Sequence, residues 1–305
     1  MDAVIETRGL TKRYGDFAAL DGVGVSVRRG EIFGLIGDNG AGKTTLFKLL
    51  CGLSFPSAGE VRLFGVTEQA ELERQRSRIG AIVEQPGFYP NLSVEKNLEY
   101  YRIQKGVPGQ GVVSELLDLM RLTHAKSRAC KDLSMGMKQR LGIAMALLGE
   151  PEILILDEPI TGLDPSGIVE VRALLQRLNR ERGITVMLSS HNLAELEQLA
   201  TTYAFMSHGR ILEQVSAERL VARCADCIDI AVSDVERYTA LLEKDLGQEH
   251  YQVLPDKTVR IFDPQLGIEA YSALASEQGM GIFKLERHRT SLEQYYLNLK
   301  ERGAA

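Results

Sequence analysis

A chain of 305 residues, 44% hydrophobic and 25% charged, can bury a sizeable core and is long enough for a main domain and a smaller one. Its net charge of -5 argues against nucleic acid as the main partner, because that binding needs a basic face to release counterions. No run approaches the ~18 to 20 uninterrupted apolar residues of a membrane span, and "MDAVIETRGL" lacks the layout of a signal peptide, which makes the cytoplasm the expected compartment.

In chain order, short β-type runs broken by Gly and Asp come first ("VIETRGLTKRYGDFAALDGVGVSVRRG") and predict a small antiparallel strand layer. "EIFGLIG" follows as a near-continuous apolar strand of the kind buried in parallel sheets. It runs into "GDNGAGKT", which matches the phosphate-binding pattern GxxxxGK(S/T). In that loop of Gly37, Asp38, Asn39, Gly40, Ala41 and Gly42, the glycines let backbone N–H groups turn toward a phosphate. Lys43 supplies a point charge toward the β- and γ-phosphates, Thr44 a hydroxyl for Mg2+, and Thr45, counted with them as nucleotide-binding, lies in the helix "AGKTTLFKLLCGL", which Gly52 ends.

The next strand, "IGAIVE", stops at two polar neighbours, Glu84 and Gln85, ahead of a Pro-Gly turn. Strands then give way to helical stretches over about 86–150, predicting a helical insertion in the α/β core. Its last helix opens on "LSMGMKQR", where Ser134 is placed to cap an N-terminus. "ILILDEP" is again a buried strand, with Asp157 at the C-terminal end where open α/β sheets bind ligands. There Asp157 suits a Mg2+ shell, and Glu158 suits orienting or deprotonating an attacking water. "TGLDP" and a further strand, "ITVMLSS", come next, the latter followed by His191.

Near residue 220 the composition shifts, and the tail reads strand, helix, hairpin, helix, strand, helix. That βαββαβ order with one extra helix predicts a ferredoxin-like α+β domain. The expected organisation is a P-loop NTPase core with its helical insertion over 1–218 and an accessory domain over 219–305. Four cysteines fit a reducing environment, and the lone CxxC of Cys224 and Cys227 lacks a second ligand pair, so it reads as two incidental thiols.

Taken together, "GDNGAGKT", "LSMGMKQR", "ILILDEP" and "TGLDP" resemble the nucleotide-binding subunits of ATP-binding cassette (ABC) transporters over roughly residues 3 to 215. The resemblance implies ATP as ligand, Mg2+ as cofactor, and ATP hydrolysis coupled to transport. It implies a separate membrane permease and a second ATP-binding subunit as partners, with a homodimer expected, at the cytoplasmic face of the cell membrane. By the same resemblance Tyr14 stacks on adenine, and Ser134 and Gly136 bind the γ-phosphate of ATP held by the opposing subunit. Asp164 links the two sites, and His191 senses the γ-phosphate. Met135 and Met137 depart from the common LSGGQ form, and Met137 removes a polar contact to the partner's nucleotide.

Family members commonly carry "QEPxLYPxLT" where this chain has "EQPGFYPNLS". Laid without a gap, Glu84 takes the place of the glutamine that contacts Mg2+ and the attacking water, and Gln85 falls one residue later. Sliding by one would put Gln85 there at the cost of a deletion. A glutamine amide donates and accepts hydrogen bonds, whereas an ionised glutamate only accepts. Glutamate here, with "LSMGMKQR" and a "SLEQYYLNL" tail helix, is similar to the ATPases of bacitracin-type drug exporters and lantibiotic self-immunity transporters. Rival readings are export of a lipid, polysaccharide or ion, or a soluble ABC ATPase outside transport. One phosphate loop in 305 residues does not suit the two-cassette translation factors, and no sustained heptads suit a repair ATPase.

Overall fold

The computed structural model describes residues 2–109, 111–223, 226–289 and 292–303, so Cys224 of the CxxC lies outside the described residues. Cys51, Cys130 and Cys227 are not disulfide-bonded. The chain divides into two compact units, Met1–Ala217 and Glu218–Ala305.

The first unit opens with β1 (Ala3–Tyr14), β2 (Phe17–Val23) and β3 (Ser26–Arg28), followed by β4 (Ile32–Gly37), α1 (Lys43–Leu50) and β5 (Ala58–Leu63). β2, β3 and β5 all pair antiparallel with the long β1, forming the expected strand layer. β5 has no strong apolar alternation of its own, and β1 recruits it by offering an unpaired edge. α2 (Gln69–Arg76) and β6 (Ile79–Ile82) come next, and then the helical segment with α3 (Val94–Gln104), α4 (Gly111–Leu119) and α5 (Met135–Leu147). The core resumes with β7 (Ile153–Leu156), α6 (Pro165–Arg182), β8 (Thr185–Ser190), α7 (Leu193–Glu197), β9 (Thr202–Ser207) and β10 (Arg210–Ser216).

A six-stranded sheet of order β10-β9-β4-β8-β7-β6 forms the centre. Four of its five pairings are parallel, and the fifth, between β10 and β9 at one edge, is antiparallel. β4, β7, β8 and β9 are buried along their whole length, as sheets covered on both faces require. Phe33, Leu35, Leu46, Phe47, Ile155 and Met187 are among the residues of the main apolar cluster. Helix starts follow local chemistry. Ser93, Ser134 and Asp164 each cap a helix by accepting a backbone N–H three residues on.

The second unit carries α8 (Ala217–Arg223, starting at the boundary), β11 (Asp226–Val232), α9 (Val235–Leu246), β12 (Tyr251–Val253), β13 (Val259–Phe262), α10 (Ile268–Glu277), β14 (Ile282–Arg289) and α11 (Leu292–Gly303). Its antiparallel sheet has the order β12-β13-β11-β14. Ile228, Ile230, Val259 and Ile261 pack with Tyr238, Leu242, Tyr271 and Ala275 of α9 and α10, so one sheet face is the core of this unit. On the alternate positions Asp229, almost wholly buried, accepts two bonds from Arg260 at 2.8 and 2.9 Å.

Among the described residues no helix is long and apolar enough to cross a membrane. The helical segment is fastened to the central sheet where α5 crosses β6. A Cβ on Gly80 would fall inside contact distance of the Ala146 carbonyl and close to Leu154, and backbone there cannot give way. Gly80→Ala is expected to destabilise the chain by about 1–3 kcal/mol, as overpacking does. The measurement is the urea midpoint, and an unchanged midpoint would show that α5 is free to shift off β6.

Candidate functional site

The phosphate loop lies between the buried end of β4 and the start of α1. Its geometry depends on glycine at Gly42, whose φ of 110° is closed to ordinary side chains. A Cβ at Gly42 would also stand 2.7 Å from the Ala19 carbonyl oxygen. The loop borders a cavity of about 250 Å³ lined by Phe17, Asn39, Gly42, Lys43, Thr45 and Glu158, with Gly40 and Thr44 also at its wall.

Lys43 is only 5% exposed, and a buried ammonium needs acceptors. It donates to the carbonyls of Gly37 at 2.7 Å and Asp38 at 3.1 Å, and lies 3.5 Å from Glu158 Oε1. Asp38 and Ala41 shape the turn, with the Ala41 N–H donating to the Asp38 carbonyl.

Asp157, one residue beyond β7, is 6% exposed, and its carboxylate takes a hydroxyl on each oxygen. Thr44 donates to Oδ2 at 2.7 Å and Ser189 donates to Oδ1 at 2.6 Å. Ser189 also accepts the backbone N–H of Glu158 at 2.9 Å, so one hydroxyl ties β8 to both acidic residues. A hydroxyl and a carboxylate in contact are hard oxygen donors that fit Mg2+, which takes one or two protein oxygens plus phosphates rather than a full protein cage. No group of three or more His, Cys, Asp or Glu side chains suited to a metal occurs among the described residues.

Glu158 has φ 47°, a left-handed backbone that non-glycine residues rarely adopt and that concentrates at functional sites. Its Oε2 accepts from Thr161 at 3.0 Å and lies 3.1 Å from His191 Nδ1. Partial burial pushes its carboxyl up, but the bonds from Thr161 and His191 and the charges of His191 and Lys43 outweigh this and hold it below the usual carboxylate range. It is therefore ionised at neutral pH and can accept a bond from water. Glu195 sits in the fields of His191 and Glu158, and burial raises its carboxyl.

Glu84 and Gln85 go to different places. The Glu84 carboxylate meets Lys48 Nζ at 2.6 Å, and Glu84 too has a left-handed backbone, φ 67°. Lys48 is one turn beyond Thr44 on α1, so Glu84 stands at the face of α1 that carries Thr44. The bond to Glu84 raises the Lys48 ammonium's pKa, opposed by desolvation and supported by the charges of Glu84, Tyr14 and Asp157. Gln85 instead lines a separate cavity of about 380 Å³ with Cys51, Pro86, Tyr101 and Gly142.

Tyr14 is half exposed, with the Lys12 ammonium 5.0 Å above its ring, and it is Phe17 that lines the phosphate-loop cavity. Ser134, Gly136 and Asp164 do not line that cavity. They form a second locus, in which Met135 and Gly136 approach Gly162 and Leu163, and Asp164 Oδ1 accepts the Gly167 N–H at 3.0 Å. Phe17, Lys48, Ser189 and Glu195 were not singled out by the sequence. Only Ser189 offered a signal there, as one of the two serines that end a buried strand.

The family model for ABC transporters matches residues 20–161. The chain is 39% identical over 299 residues to the bacitracin transport ATP-binding protein BcrA of Enterococcus faecalis, covering 98% of this chain and 97% of that one. It is 40% identical over 210 residues to the lantibiotic transport ATP-binding protein SrtF of Streptococcus pyogenes, covering 68% of this chain and 89% of that one. Among solved structures, the dimeric post-hydrolysis state of the ATP-binding cassette MJ0796 bound to ADP and Pi superposes with a TM-score of 0.64 at 25% identity, covering 70% of this chain and 98% of that one.

Ser189→Ala removes the donor to Asp157 and the acceptor of the Glu158 N–H in one step. Leaving such buried groups unsatisfied costs about 1–3 kcal/mol. The expected outcome is a lower denaturation midpoint, with Ser189→Thr milder than Ser189→Ala. Equal stability of all three proteins would mean that water replaces the hydroxyl.

Proposed function

The chain belongs to the ATP-binding subunits of ABC transporters, which hydrolyse ATP, and from that premise we propose that it powers export of an antimicrobial peptide or drug of the bacitracin or lantibiotic class. The observation that carries this reading is the likeness to a bacitracin transport ATP-binding protein, which runs the length of the chain, tail unit included. The glutamate at position 84 favours the same branch. The work is done on a separately encoded permease at the cytoplasmic face of the membrane, by two copies of this subunit.

In this reading the loop from Gly37 to Gly42 and Lys43 hold the phosphates of ATP, with the buried ammonium exchanging its carbonyl contacts for phosphate oxygens. Tyr14 and Phe17 border the adenine side. Thr44, Asp157 and Glu84 would hold Mg2+, which when bound would supply positive charge to the phosphate oxygens. Glu158, ionised and fixed by Thr161 and His191, orients the attacking water and takes its proton. His191 keeps that carboxylate aimed and senses the γ-phosphate. Ser134 and Gly136, which do not line the phosphate-loop cavity, serve the ATP of the opposing subunit, since an N-terminal hydroxyl and open backbone favour an anion. Asp164, at the neighbouring helix start, links the two sites.

Two ATP molecules bridging the subunits favour the closed dimer, and hydrolysis removes that preference. The permease is shifted by the difference in ATP affinity between the two states. All the residues given a part in this cycle lie within the unit Met1–Ala217, and in this reading the tail unit is an accessory domain.

Glu158→Gln keeps the shape and removes the base, so ATP turnover should fall about 10²- to 10⁴-fold while an ATP-bound dimer accumulates on size exclusion. Turnover at the wild-type rate would refute the role of Glu158. A strain lacking the gene is expected to become more sensitive to bacitracin-like or lantibiotic compounds. Unchanged sensitivity across such a panel, with sensitivity to other exported compounds altered, would replace the substrate class and leave the ATPase in place.

A further inference from the structure

One ionic contact joins the helix that starts at the phosphate loop to the segment that leads into the helical insertion. Lys48 Nζ and Glu84 Oε1 are 2.6 Å apart, with Lys48 on α1 and Glu84 two residues past the end of β6. A surface ion pair of this kind contributes little to stability, and the Glu84 side chain is 63% exposed. Its effect is on position. A long, charged, mostly exposed side chain is held against one face of α1, four residues from a hydroxyl that is bonded to Asp157. The left-handed backbone at Glu84 aims the side chain from the other end.

The pair also answers a problem of charge. A glutamine in this place brings no charge toward a triphosphate, whereas a glutamate brings a negative one. Without a divalent cation, that carboxylate and the phosphates repel. An ammonium bonded to the carboxylate cancels the repulsion, and a flexible four-carbon stem lets it move aside.

We propose that Lys48 is a positioning residue for Glu84: it neutralises the carboxylate and keeps it on α1 when no divalent cation is bound, and yields it when one binds. This rests on the reading of the phosphate loop, Asp157 and Glu84 as an ATP site, and extends it to a residue outside the recognised motifs. Lys48 and the cation are alternative partners of one carboxylate. Nucleotide binding without the cation therefore needs Lys48 more than binding with it does.

The test is equilibrium binding of a fluorescent ATP analogue to the full chain, in EDTA and in Mg2+, read as the ratio of the two dissociation constants. Lys48→Met is expected to raise that ratio about threefold to fivefold through weaker binding in EDTA, within the range of a single exposed ion pair. Lys48→Arg should stay within about twofold of wild type, because it keeps the charge. In a Glu84→Gln background, Lys48→Met should change the ratio by less than about twofold, which isolates the pair from any direct pull of Lys48 on phosphate. The proposal is overturned if Lys48→Met shifts the ratio equally in both backgrounds, or in neither. Wild-type chain that bound no analogue under either condition would overturn the ATP-site reading and the proposal together, whereas wild-type binding with a flat ratio across the variants overturns the proposal alone.

Discussion

A carboxylate cut off from water must be given donors, and Asp157 is the point where the first unit meets that requirement. Its two oxygens are satisfied by hydroxyls from two elements, Thr44 of α1 and Ser189 of β8, while its own N–H is bonded to the Ile82 carbonyl at the end of β6. Three strands and one helix are thereby brought to a common point. None of them could slide by a residue without leaving a buried charge unpaired, which is far more costly than a lost apolar contact. The parallel register of β6, β7 and β8 and the pose of the phosphate loop follow from the same constraint.

Around that point, charge is arranged in alternation. Lys43 lies between backbone carbonyls and Glu158, Glu158 between Lys43 and His191, and Glu84 against Lys48. Lys43, Glu158 and Glu84 each have an opposite charge beside them, while Asp157 is held by hydroxyls alone. An anion entering the cavity beside Lys43 therefore meets an ammonium that already has acceptors, not a vacant positive hole.

Much of this was legible in the sequence where local pattern and tertiary demand coincide. β4, β7 and β8 are apolar throughout because both faces are covered, and that is visible in "IFGLIG", "ILIL" and "ITVML". The phosphate loop and the acidic strand end announce themselves by residue type and spacing. β5 was not legible, because "AGEVRL" becomes a strand only through the edge that β1 offers. The Lys48–Glu84 contact spans 36 residues and depends on two elements meeting, so no spacing encodes it. Phe17 went unnoticed for a related reason: an aromatic three residues after Tyr14 looks like an ordinary strand start until the turn folds it toward the loop. The choice between Glu84 and Gln85 could be framed from the sequence alone, but where each side chain goes is a property of the chain's direction after β6.

Glu84 and Glu158 share one more property, a left-handed backbone, and it bears on how this subunit can diverge. At most positions a side chain is retained or lost on its chemistry. At these two the main chain acts as a second filter, since β-branched residues are nearly excluded by sterics, while glycine, asparagine and aspartate relieve the strain. The residues that would relax the backbone lack the reach or the acid, and those that keep the reach retain the strain. Change at both sites is thus confined to a narrow corridor in which glutamate and glutamine are near neighbours, one nucleotide change apart: at position 84 that exchange keeps the reach, whereas at position 158 it removes the acid and leaves no replacement open.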